Sequence, residues 1–173
     1  MQTPAHAGAI SGAAHPHLLR PMRRKAREIA DPTQIDNVLR QEKLMHLAMS
    51  QNDVPFLVPV YFGWDGKALY FHSANAGSKI EILQANPEVC FEVSSVTGFV
   101  EAPEACDFEA QHRTVIGFGR AAFITDEAEK IRALDLIVAR FTDQRFEYPK
   151  ENLAKTFVIR IDVHAMKGKQ HAY

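Results

Sequence analysis

The chain has 173 residues, 46% hydrophobic and 24% charged, with a formal net charge of -1. That profile belongs to a globular domain able to bury a core without disulfides or metal. With no cationic bias, neither nucleic acid nor an anionic membrane is expected as a partner, and no apolar run approaches the roughly 18 residues that span a bilayer.

Residues 1–20, rich in Ala, Gly and His, lack a basic start and a continuous apolar core, so they read as a disordered leader rather than a signal peptide. His15 and His17 have no further ligand cluster nearby in sequence, and no metal site is expected. Residues 21–173 read as a single domain. It opens with the basic stretch "PMRRKAREIAD", and Pro32-Thr33 then starts a short helix over 34–40 with Ile35, Val38 and Leu39 at helical spacing. "KLMHLAMS" fits a helix or a strand. The turn-rich residues behind it and the Asp65-Gly66 hairpin signal favour a three-strand meander at 43–50, 54–63 and 67–73. Pro59 cannot donate to a ladder, which marks the second strand as an edge or a bulge.

Residues 78–85 read as a short helix closed by Asn86-Pro87, and 88–95 as a strand with Cys90 in its core. Residues 97–111 show no period and read as a loop. Residues 112–125 form a long strand interrupted by Gly117 and Gly119. Asp126 caps a helix over 126–141 whose buried stripe is Ile131, Leu134, Val138 and Phe141. A last strand or pair covers 155–169. Strands dominate without βαβ alternation, so the expected class is mainly β, an antiparallel barrel with flanking helices. Two cysteines, Cys90 and Cys106, form no disulfide framework, and a cytoplasmic location is expected.

Gly117 to Ala122 matches GxGxxA, but the helix signals begin only at Asp126. The glycines are better read as relieving crowding in a curved strand. Ser78-Lys79 at a helix start is more pointed. Unpaired N–H groups, a partial positive charge, a hydroxyl and an ammonium together suit a phosphate, although a capping serine beside a solvated lysine reads equally well. His72, at a strand end, could be structural.

"ALYFHSANAGSKIEILQANPEVCFEV" resembles the flavin mononucleotide (FMN) binding core of the split β-barrel superfamily of pyridoxamine 5'-phosphate oxidase. With "MRRKAREI", "LAMSQNDVPFLVPVYFGWDGKALYFHSA" and "ACDFEAQHRTVIGFGRA", the pattern is similar to the subgroup of 5-nitroimidazole resistance reductases, over about residues 22–169. The resemblance implies a homodimer with FMN between subunits. Ser78 and Lys79 would clamp its phosphate, His72 and Ser73 would lie beside the flavin, and the backbone of Val58, Pro59, Val60 and Tyr61 would face its ring. Thr114 and Val115 would add contacts, and residues 97–111 and the C-terminal residues are candidates to reach it from the other subunit. The implied activity is reduction of small nitroaromatic-like substrates by a reduced nicotinamide, with His72 as the candidate catalytic residue. A non-catalytic flavin-storage protein and a haem- or deazaflavin-binding barrel are the alternatives. The vitamer-binding arginine and histidine motif of pyridoxamine 5'-phosphate oxidases proper is missing from the terminal "MKGKQHAY", and the recurrence of "PMRRKAREI" in the subgroup implies that this segment packs on the barrel.

Overall fold

The computed structural model describes residues 20–172. The leader expected over residues 1–20, with His15 and His17, therefore lies outside the described residues except for Arg20. Eight strands form one antiparallel sheet: β1 (Glu28–Ile29), β2 (Leu44–Gln51), β3 (Val54–Tyr61), β4 (Gly63–Trp64), β5 (Ala68–Ala74), β6 (Glu88–Val100), β7 (Glu109–Phe123) and β8 (Thr156–His171). The strand order is β3-β2-β6-β7-β8-β5-β4, with β1 added to β8. Four α-helices flank it: α1 (Pro32–Gln41), α2 (Ser78–Ala85), α3 (Glu127–Val138) and α4 (Lys150–Lys155).

The meander forms where the alternation placed it. Met45, Leu47 and Met49 of β2 are buried and the residues between them are not, the period of a half-buried strand. The expected strand 54–63 breaks at Phe62. Its first part pairs with β2 and its last part with β5, so one chain segment turns the corner between the sheet's two ends. Gly63 sits at that corner because an added Cβ would come within 2.9 Å of Leu136 on α3. The following turn is held by Asp65, whose carboxylate accepts from the N–H groups of Lys67 and Ala68, both at 2.7 Å. Gly66 supplies the turn's positive φ of 95°.

The barrel interior is one apolar cluster around Leu39, Met45, Leu47, Phe62, Leu69, Phe71, Phe91 and Ile161, with a smaller one beneath α3 and α4. α1 follows its sequence pattern. Asp31 caps it through Thr33 N–H at 2.8 Å, and Ile35, Val38 and Leu39 point inward. The basic segment packs on the barrel: a 3-10 turn at Lys25–Arg27 leads into β1, which pairs with β8, and Ile29 is buried.

Three expectations change, and one open alternative resolves. The loop expected over residues 97–111 is confined to 101–108. β6 and β7 continue as a paired ribbon to Val100 and Glu109, and the period is lost because the ribbon's apolar side chains Val96 and Phe99 are exposed on it. The buried stripe of α3 is Ala133, Leu134 and Ile137, with Ile131 packed beside it and Phe141 exposed beyond the helix end. Cys90 is not core: Val89, Phe91 and Val93 face inward, so Cys90 faces outward and is half-buried. The C-terminal segment is one strand with an irregularity opposite Phe118 and Gly119. α4 is an element that no periodicity announces. Gly117 and Gly119 lie within β7, where an added Cβ would sit 2.2 Å from Phe91 Cζ and 2.5 Å from the Asp162 carbonyl oxygen. Close packing accounts for both glycines.

Candidate functional site

Two strand edges stay open where the barrel is split. β3 ladders only with β2, so the backbone of its other side is free, as Pro59 requires. β5 ladders with β4 only at Leu69 and Tyr70, so Phe71 to Ala74 present a second free edge. The two strands come within 8 Å Cα to Cα across the gap without forming a ladder. Along β3 the side chains alternate. Val58 and Val60 pack into the interior, while Pro59 and Tyr61 face out.

β5 runs out of the barrel at His72 and Ser73 and turns through Gly77 into α2. Gly77 has a φ of 109°, and an added Cβ there would meet nothing within 4 Å, so conformation rather than space selects glycine. No side chain caps α2. The first amides to turn back, those of Ile80 and Glu81, both reach the Gly77 carbonyl, which leaves the N–H groups of Ser78 and Lys79 outside the helix ladder. Ser78 is exposed and Lys79 half-buried. The Lys79 ammonium lies 5.5 Å from the Phe71 ring centroid, and no carboxylate among the described residues pairs with it. Desolvation pulls its pKa below the ordinary lysine range. The His72 imidazole is likewise held below its ordinary value, first by desolvation and then by the Lys79 charge. That coupling puts the two side chains at one place and leaves His72 neutral near pH 7.

The structure therefore brings His72, Ser73, Ser78 and Lys79 together at one junction and sets Val58 to Tyr61 on the facing edge. Thr114 and Val115 are elsewhere. His72 registers with Val158 on β8 and Thr114 with Lys169, a separation of 11 residues, or roughly 36 Å of strand. Val115 is fully buried, and Thr114 faces outward. Within one chain these two do not reach the α2 junction.

One residue that no motif in the sequence marks is His46. Opposite Pro59 on β2, it pairs through Nδ1 with Glu92 Oε2 at 2.9 Å. Another is Phe141, which meets Tyr61 edge-on at 5.3 Å. Neither contact has a local spacing signal, because each is made by strands and helices distant in sequence.

An uncapped helix start bearing Lys79, which no carboxylate among the described residues pairs with, lies beside two open strand edges, the arrangement of a split barrel. The chain belongs to the pyridoxamine 5'-phosphate oxidase family, whose model matches residues 31–170. It is similar to a candidate 5-nitroimidazole antibiotic resistance protein from Bacteroides thetaiotaomicron, with 30% identity, 83% of this chain and 86% of that chain covered, and a TM-score of 0.74. It is also similar to the flavocytochrome Anf3 from Azotobacter vinelandii, with 25% identity, 89% and 73% covered, and a TM-score of 0.78. The FAD and haem binding protein from Mycobacterium smegmatis shares the fold at 20% identity, with 85% and 74% covered and a TM-score of 0.77. No curated protein matches. None of the helices among the described residues is long and apolar enough to cross a membrane.

Proposed function

We propose that this protein binds FMN and uses it to reduce small electron-deficient substrates of the nitroaromatic class, with a reduced nicotinamide as donor. The observation that carries the reading is Lys79, desolvated, without a carboxylate partner and set on the uncapped start of α2. A phosphate dianion there would gain the lysine charge, two free N–H groups and the Ser78 hydroxyl. The 30% identity to a protein described by nitroimidazole resistance supports the substrate class. When bound, FMN supplies hydride and electron transfer, and the protein supplies placement and electrostatics. Ser73 and neutral His72 would hydrogen-bond at the flavin or substrate, and the free edge of β3 from Val58 to Tyr61 would lie along the ring. Thr114 and Val115 would join the site from a second copy, which makes the working form a homodimer.

The test is a visible absorption spectrum of the purified protein, taken with FMN and then with a reduced nicotinamide. Bound-flavin bands that bleach, and recover when a nitroaromatic acceptor is added, support the reading. Flavin bands that never bleach leave a flavin-storage protein, and no flavin binding removes the phosphate clamp. The similarity to a flavocytochrome favours haem as the second reading. It predicts a Soret band that is lost on changing a single histidine.

A further inference from the structure

On the outer face of the barrel α3 packs along β4 and β5, and its residues follow theirs in step. Glu129 and Arg132 share a hollow with Asp65, and Leu136 and Ile137 lie against Gly63. Phe141, just past the helix end, meets Tyr61 edge-on at 5.3 Å. The pairing of Gly63 with Tyr70, carried one rung further, sets Tyr61 across the gap from His72. Alternation turns both side chains outward, because their neighbours Phe62 and Phe71 are buried. The helix thus covers the rung of Gly63 and Tyr70 and stops short of the rung of Tyr61 and His72.

What the helix leaves open is a niche with an aromatic wall. Tyr61 is 57% and Phe141 50% exposed, so two touching rings still have area to bury against a third. The wall is fixed from behind. Arg140 donates to the carbonyls of Leu39, at 3.0 Å, and Glu42, and its guanidinium lies over the Phe62 ring, which ties the end of α3 to the end of α1. The Lys43 ammonium stands 5.0 Å from the Phe141 centroid, and no carboxylate among the described residues pairs with it. The niche therefore offers ring surface, a cation at its rim and the His72 imidazole opposite. An aliphatic ligand would leave the rings without a stacking partner, and a neutral ring would leave Lys43 unused.

We infer that Tyr61 and Phe141 set the acceptor specificity of the reaction proposed above: they hold the flat ring of a nitroaromatic acid beside His72, and Lys43 takes its carboxylate. The inference rests on the flavin reading, because it is His72 that joins the niche to the flavin junction.

The experiment titrates 4-nitrobenzoate, with nitrobenzene as the neutral control, into the full chain loaded with FMN and follows the flavin absorbance. 4-Nitrobenzoate is expected to shift the flavin bands saturably and to bind more tightly than nitrobenzene. Phe141→Leu and Tyr61→Leu keep an apolar side chain and remove the ring, and each should weaken both ligands about fivefold. Phe141→Tyr and Tyr61→Phe keep the ring and should stay within about twofold of wild type. Lys43→Gln should weaken 4-nitrobenzoate alone, by about threefold, and remove the salt dependence of its binding. Melting temperatures of the Phe141 and Lys43 variants should hold, since both side chains are exposed. Binding indifferent to Phe141→Leu and Tyr61→Leu would overturn the aromatic wall. Nitrobenzene binding as tightly as 4-nitrobenzoate would overturn the role of Lys43. 4-Nitrobenzoate that neither shifts the bands nor is retained in equilibrium dialysis would overturn the niche and leave the flavin reading standing, whereas a chain that takes up no FMN would remove both.

Discussion

Lys79→Met separates the phosphate-binding role of Lys79 from any structural one. Methionine keeps the unbranched stem that packs beside Phe71 and removes only the charge. In the flavin-free protein two small terms then oppose each other. The ammonium 5.5 Å from the Phe71 centroid contributes about 0.5–1 kcal/mol. Its desolvation, the cause of its lowered pKa, costs in the other direction. The net change should stay within about 1 kcal/mol, or roughly 2–4 °C for a chain of this size. With FMN the terms no longer cancel. A hydrogen bond to a charged group is worth about 1.5–3 kcal/mol, so FMN should bind roughly tenfold to about 150-fold more weakly. At a concentration 100 times the wild-type Kd, FMN stabilises by about 2.7 kcal/mol, and a hundredfold weaker variant would retain about 0.4 kcal/mol. Melting curves with and without FMN read both numbers, and riboflavin, which lacks the phosphate, serves as control. An FMN affinity within threefold of wild type, or an equal loss for riboflavin, would refute the clamp.

The His72 pKa is lowered in the fold, so neutral His72 contributes stability above the unfolded value near 6.5 that is lost as pH falls through the folded value. The flavin-free wild type should therefore lose melting temperature below about pH 6.5 more steeply than His72→Gln, as a pH series of melts would show. Asp36 accepts from Trp64 Nε1 at 2.7 Å and pairs with Arg40 at 2.6 Å. Its pKa is lowered by the Arg40 hydrogen bond and then by that of Trp64, so its contribution is lost as pH falls below about 4. Asp36→Ala strands the buried indole N–H and should cost about 1–3 kcal/mol in urea unfolding. Gly117→Ala would drive a methyl into Phe91 and should cost about 1–3 kcal/mol, with part recovered by Phe91→Leu.

The meander and α1 were legible because their signals are local. Met45, Leu47 and Met49 alternate, Asp65-Gly66 turns, and Asp31 and Pro32 open a helix. The same holds for half the candidate site, since His72, Ser73, Ser78 and Lys79 lie within one strand-to-helix turn. Legibility failed where exposure broke the period. In the ribbon, where Val96 to Val100 runs against Glu109 to His112, Val96 and Phe99 are each 66% exposed, so pairing exists without any inside-outside alternation. Phe141 carries the helical spacing of α3, but the helix ends at Val138 and the spacing stops meaning anything. Cys90 misleads because an apolar residue on the outer face looks like a core residue when read alone. The place of Thr114 is set by the register of β7 on β8, which no local pattern encodes.

The separation of Thr114 from His72 makes oligomeric state a direct test of how the site is built. Register and alternation put Leu57, Phe118 and Leu44 on one outer face of the β3-β2-β6-β7 sheet. Leu57 is 61% and Leu44 42% exposed. A stable dimer needs about 800 Å² of such surface per partner, and a carboxylate at its centre would be buried without a counter-ion. Leu57→Asp should therefore give a monomer in analytical ultracentrifugation. Its melting temperature as a monomer should be little changed, because the side chain touches no core. FMN affinity should fall with the dimer if Thr114 and Val115 complete the site from a second copy. A wild type that is monomeric at micromolar concentration and still binds FMN would show that Ser78 and Lys79 suffice and that Thr114 has no part in the site. A Leu57→Asp protein that stays dimeric would place the interface on another face, and the exposed ribbon carrying Val96 and Phe99 would be the next surface to charge.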